Sequence, residues 1–116
     1  MSSDSRDFGL NALLLYLHEN KLFILYCVAD DYITRVRLDN DECYTISANI
    51  GEIEKQDCLF YLFRNYKSML LNVYCIIEVD YKYSFILIDN DELFYTSVRA
   101  LKRIKACLRK NGFSVM

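Results

Sequence analysis

The sequence predicts an α+β fold: antiparallel sheet or sheets built from a tandem helix–three-strand repeat and closed by a C-terminal amphipathic helix. Three observations lead there. An apolar block ending in Tyr-Cys, followed by an apolar block ending in Asp-Asn-Asp-Glu, occurs twice in the same order: Leu25-Tyr26-Cys27 then Leu38-Asp39-Asn40-Asp41-Glu42, and Val73-Tyr74-Cys75 then Ile88-Asp89-Asn90-Asp91-Glu92. Such self-similarity points to one supersecondary unit used twice. Short apolar or alternating runs separated by Asn/Asp turns have the spacing of strands. The last stretch separates apolar from basic residues with a helical period. The 116 residues fit a single domain, with the repeat at about 8–48 and 56–97 and the final helix at 98–111.

Each element has its own signal. Asp7 can cap a helix over residues 8–19, whose Leu10, Leu13, Leu14 and Leu17 fall at helical spacing, with Asn20 as its stop. Leu22–Val28 is a continuous apolar run of strand length. In Tyr32–Leu38, Tyr32, Thr34, Val36 and Leu38 share one face, while Ile33, Arg35 and Arg37 share the other. Asp39-Asn40-Asp41 is a turn, because Asn and Asp tolerate the left-handed region and bond to nearby backbone. A short strand follows at Cys43–Ser47. Asn49 with Glu52 forms a capping pair for a second helix, which Asp57 can continue over Cys58–Tyr66. Strands are then expected at about Leu70–Val79, Tyr83–Ile88 and Leu93–Thr96.

The last helix is bounded by Ser97 as cap and Gly112 as stop. At about 100° per residue, Ala100, Leu101, Ile104, Cys107 and Leu108 fill one arc. Arg99, Lys102, Arg103, Lys105, Arg109 and Lys110 fill the opposite arc. This order of elements resembles that of profilin-like, roadblock-like and longin-like domains, a likeness of architecture that transfers no function.

Composition excludes several function classes. With 53% hydrophobic and 26% charged residues, no Pro and three Gly, the chain is neither disordered nor a linker. Its Leu, Ile, Tyr, Asn, Asp and Lys bias is that of AT-rich coding, as in some viruses and microbes. Five Cys in no C-x-x-C pair fit a reducing, intracellular compartment, cytoplasmic or nuclear. The N-terminal segment has no positive n-region, and no apolar run reaches the ~18 residues of a membrane span. A lone His18 and scattered Cys supply neither a catalytic constellation nor a local metal-ligand set, so no enzyme, cofactor or metal site is expected. The two Asp-Asn-Asp-Glu segments lack the Gly of an EF-hand loop, and hairpin turns account for them better. Glycine-rich phosphate loops are absent.

Charge is unevenly placed. Eight basic and sixteen acidic residues precede Leu93, giving −8, whereas residues 93–116 carry six basic residues and no acid, giving +6. Two functions compete on these grounds. Runs such as Leu22–Val28 and Phe85–Ile88 are apolar on both faces, which calls for cover that three short helices do not obviously provide. That favours a non-enzymatic protein-interaction or assembly module, a homodimer working through an apolar sheet face at Tyr26, Phe85 and Leu87 and through the basic helix. The alternative is a nucleic-acid-binding protein that uses the basic face of the helix as a phosphate-binding stripe.

Overall fold

Gly9, in extended backbone, precedes the first helix, so the helix begins two residues later than Asp7 would have placed it. The structure, a computed structural model, describes residues 7–110 and 112. Two compact units divide it, residues 1–71 and 72–116. The elements are strand β1 (Asp7–Phe8), helix α1 (Leu10–Asn20), strands β2 (Ile24–Asp30), β3 (Ile33–Leu38) and β4 (Cys43–Ile46), and helix α2 (Ile50–Glu54). Then come β5 (Leu62–Tyr66), β6 (Met69–Asn72), β7 (Ile76–Asp80), β8 (Phe85–Ile88), β9 (Leu93–Tyr95) and helix α3 (Val98–Lys110). The fold is a small α+β arrangement of mainly antiparallel sheets; β1 and β4 pair in parallel.

In the first unit the sheet order is β1-β4-β3-β2-β6-β5. α1 stops at Lys21, which takes the left-handed conformation (φ 53) expected of Asn20, while Leu22 N–H donates to the Leu17 carbonyl at 2.9 Å. Alternation on β3 follows the sequence pattern: Thr34, Val36 and Leu38 are buried and Arg35 is exposed. The core gathers Leu13, Leu17, Ile24, Cys27, Val36, Leu38, Ile46, Ile53 and Leu70. Thr34 belongs to that interior, and its hydroxyl donates to the Ala48 carbonyl at 2.6 Å. A buried hydroxyl needs such a partner, because leaving water without one is costly. Asn49 caps α2 through the Glu52 N–H (2.9 Å), as the sequence predicts.

The expected continuation of that helix over Cys58–Tyr66 is absent. A single 3-10 turn at Asp57–Leu59 leads instead into β5. Tyr61 and Asn65 are buried, and aromatic residues favour the pleated surface once a neighbouring strand offers bonds. The expected strand Leu70–Val79 is likewise divided. The Asn72 side chain accepts the Tyr74 N–H at 2.8 Å, which turns Val73–Cys75 into a 3-10 helix and separates β6 from β7.

In the second unit β7, β8 and β9 form an antiparallel meander, with Phe85 opposite Tyr95 and Ile86 opposite Phe94. Its turn repeats that of the β3–β4 hairpin in local detail. Leu38 N–H donates to Glu42 O at 2.8 Å and Ile88 N–H to Glu92 O at 3.0 Å. The Asn40 side chain accepts the Glu42 N–H at 3.1 Å, and Asn90 accepts that of Glu92 at 3.0 Å. Asp41 and Asp91 occupy the left-handed region with φ of 70 and 69. Each meander opens with a register shift, at Ile24/Tyr26 and Ile76/Glu78. The likeness belongs to the meanders; no long helix precedes the second. α3 packs against the 3-10 turn at Val73–Cys75, and its Ala100, Leu101, Ile104 and Leu108 are buried.

Candidate nucleic-acid interface

α3 is shaped by the segregation visible in its sequence. Ser97 caps it, its hydroxyl oxygen accepting the Ala100 N–H at 3.1 Å and its carbonyl accepting the Leu101 N–H at 3.0 Å. This satisfies backbone donors that a helix start otherwise leaves open. The apolar arc faces inward, and Arg99, Lys102, Arg103, Arg109 and Lys110 are all exposed. Arg109 and Lys110 lie in the last turn, where the helix dipole favours cations. At 1.5 Å per residue these cations extend over about 16 Å from Arg99 to Lys110. Residues 93–116 contain no acidic residue. The ion pairs Arg35–Asp30 (2.6 Å) and Arg64–Glu54 (2.8 Å) both lie in the first unit.

Lys105 differs from the other five. It falls at the border between the two arcs, is half-buried, and holds its ammonium 5.4 Å from the centre of the Tyr81 ring. That contact brings the β7–β8 turn beside the basic face. The expected strands Leu70–Val79 and Tyr83–Ile88 leave a connection at residues 80–82, to which the sequence assigns no role; the signal available was a Lys flanked by two Tyr just after Asp80.

Of the residues expected to form an apolar seam, one falls in the first unit and two in the second. Tyr26 lies half-buried on β2 of the first unit, opposite Arg37 and Leu71. Phe85 and Leu87 lie half-buried on β8 of the second. Phe85 meets Tyr95 edge to face, with ring centres 6.4 Å apart. His18 is exposed in the last turn of α1. Among the described residues no cluster of three or more His, Cys, Asp or Glu is placed to hold a metal ion, and no helix is long and apolar enough to cross a membrane. Cys27 is buried, and burial pushes its thiol up to about 12, whereas Cys43 and Cys58 are exposed.

Comparison with known proteins decides between the two functional readings. The family model of the LytTr DNA-binding domain matches residues 20–109. The chain belongs to the LytTr DNA-binding domain family. The fold agrees. The structure is similar to the LytTr DNA-binding domain of a Bacillus cereus protein described as a methyl-accepting/DNA response regulator, with a TM-score of 0.60 and 22% identity over 78% of this chain and 82% of that one. Comparison with curated proteins returns no match.

Membership in the LytTr family overturns the main functional expectation. The protein-interaction module and the homodimer through Tyr26, Phe85 and Leu87 give way to DNA binding, the reading held as the alternative. The physical reason lies in the half-burial of those three side chains. The continuous apolar runs therefore needed less outside cover than their sequence suggested. The architecture is likewise consistent with that of a LytTr domain. A DNA-binding domain works inside the cell.

Proposed function

We propose that this LytTr domain binds double-stranded DNA with the exposed basic face of α3, where Arg99, Lys102, Arg103, Arg109 and Lys110 pair with backbone phosphates. The observation that carries the reading is the placement of the five cations on the exposed side of a helix whose other side is buried. Phosphate contacts of this kind set affinity and position on the duplex, and base contacts add the sequence preference. The domain has no catalytic part in this reading and works in the compartment that holds the DNA, cytoplasmic or nuclear. Residues 1–116 act together as one domain, since the family match runs through both compact units. We also read the two meanders as an internal repeat that α3 follows, on the strength of their matching turns.

An electrophoretic shift of duplex DNA by the full chain tests the proposal. Wild type retards a random-sequence duplex pool, whereas Lys102→Glu with Lys110→Glu, melting at the same temperature, does not. Retention of wild-type binding by that doubly reversed variant would remove α3 as the interface.

A further inference from the structure

The β7–β8 turn is held firmly in place. Asp80 accepts the Tyr83 N–H through its side chain at 2.8 Å, and Ser84 sits in the left-handed region at φ 56. Thr96 N–H donates to the Ser84 carbonyl at 2.9 Å, tying the turn to the residues just ahead of α3. The contact of Lys105 with Tyr81 ties it to α3 a second time. The turn is therefore fixed on both sides, yet its tip holds an aromatic ring out to solvent: Tyr83 is 62% exposed. The Lys82 ammonium lies 5.3 Å from the centre of that ring, within cation–π range. Lys82 is itself exposed. An exposed aromatic beside a cation, on a rigid turn at the edge of a basic helix face, combines the two groups with which proteins grip nucleic acid: charge for the phosphate and an apolar face for the sugar and base.

We infer that the Tyr81–Ser84 turn is a second DNA-contacting element, in which Lys82 pairs with a phosphate and the Tyr83 ring packs on the adjoining sugar and base edge. The inference rests on the DNA-binding reading of α3 given above. The two elements differ in the force they contribute. α3 supplies charge, which salt weakens. The Tyr83 ring supplies apolar contact, which salt leaves largely untouched. Because Asp80 accepts a backbone N–H within the turn, its carboxylate is directed to the chain, and Lys82 is the charge at the tip.

Fluorescence anisotropy of the full chain tests this, with a duplex enriched from a random-sequence pool by repeated binding to wild type. Tyr83→Ala is expected to raise Kd about tenfold, the loss of one aromatic contact, with an unchanged salt slope. Tyr83→Phe keeps the ring and is expected to bind nearly as wild type. Lys82→Ala should reduce the salt slope by about one phosphate, ~0.9. If Tyr83→Ala and Lys82→Ala both bind as wild type while Lys102→Ala with Lys110→Ala weakens binding, the turn plays no part and the α3 reading stands. If Tyr83→Phe is as weak as Tyr83→Ala, ring packing is refuted. If wild type enriches no duplex at all, both readings fall. Each position is exposed, so unchanged melting temperatures serve as the check that the variants fold.

Discussion

Removing two cations from α3 should change how binding depends on salt, and the size of the change follows from the geometry. Five cations on the helix are exposed, and Lys105 is diverted toward Tyr81. Each phosphate neutralised releases condensed counterions and adds about −0.9 to the slope of log K against log salt. Those five contribute about −4.5 to the slope, a share that on its own weakens binding roughly 500-fold between 50 and 200 mM salt. Lys102→Ala with Lys110→Ala removes about 1.8 of it, leaving three α3 contacts worth about −2.7 and roughly 40-fold over the same range. Anisotropy titrations with one duplex at four salt concentrations measure both slopes. The two lysines are exposed and on the polar arc, so the fold should not register their loss. A double variant with the wild-type slope would refute the reasoning: the counterions released on binding would then come from elsewhere on the chain.

Two further outcomes test the interior. Thr34→Val keeps the shape of the side chain but strips the Ala48 carbonyl of its 2.6 Å hydrogen bond, which should cost about 1–2 kcal/mol and lower Tm by roughly 5 °C in a calorimetric scan; an unchanged Tm would mean that this carbonyl finds another partner. Burial pushes the Tyr61 phenol up to about 12 and the Cys27 thiol up to about 12, so both keep their protons in the folded state where the unfolded chain has already lost them. Stability is then fully present below the unfolded values, near 9 for the thiol and 10 for the phenol, and falls as pH rises from there toward 12. Thermal melts from pH 8 to 11.5 should show that decline, and a flat profile would contradict it.

How much of this was legible depended on whether the local signal and the tertiary context agreed. α3 was readable because its segregation, its Ser97 cap and the absence of acids all pointed one way, and Ser97 does cap it. Its Arg99–Lys110 stripe was readable for the same reason. The Asp-Asn-Asp-Glu turns were readable because an Asn side chain bonding to the backbone two residues on is a local event. Cys58–Tyr66 misled because its apolar spacing serves a helix as well as a strand, and β6 was what decided. The split of the run Leu70–Val79 hung on one side chain, Asn72, whose bond to Tyr74 N–H nothing in the apolar pattern announces. The Tyr81–Ser84 turn was hidden in turn by the contact of Lys105 with Tyr81, a pair 24 residues apart that only the fold brings together.

Function was harder to weigh because the apolar runs and the uneven charge pointed to different partners. At −2 the molecule looks unsuited to a polyanion, yet what a duplex meets is the local field. Within the second unit the meander places the Tyr81–Ser84 turn and the start of α3 at one end of the sheet, since Thr96 pairs with Ser84 and α3 begins two residues later. The Asp89–Glu92 turn lies at the other end of β8. Phosphate is thus drawn toward the end with Lys82 and Arg99 and repelled from the end with Asp89, Asp91 and Glu92. The acidic turn then acts as an orienting field, disfavouring encounters in which that end approaches the duplex. Its weight should be greatest in the association rate at low salt. Asp89→Asn with Asp91→Asn should therefore alter the stopped-flow association rate at low salt and leave it unaltered at high salt; equal rates of variant and wild type at low salt would refute the orienting field.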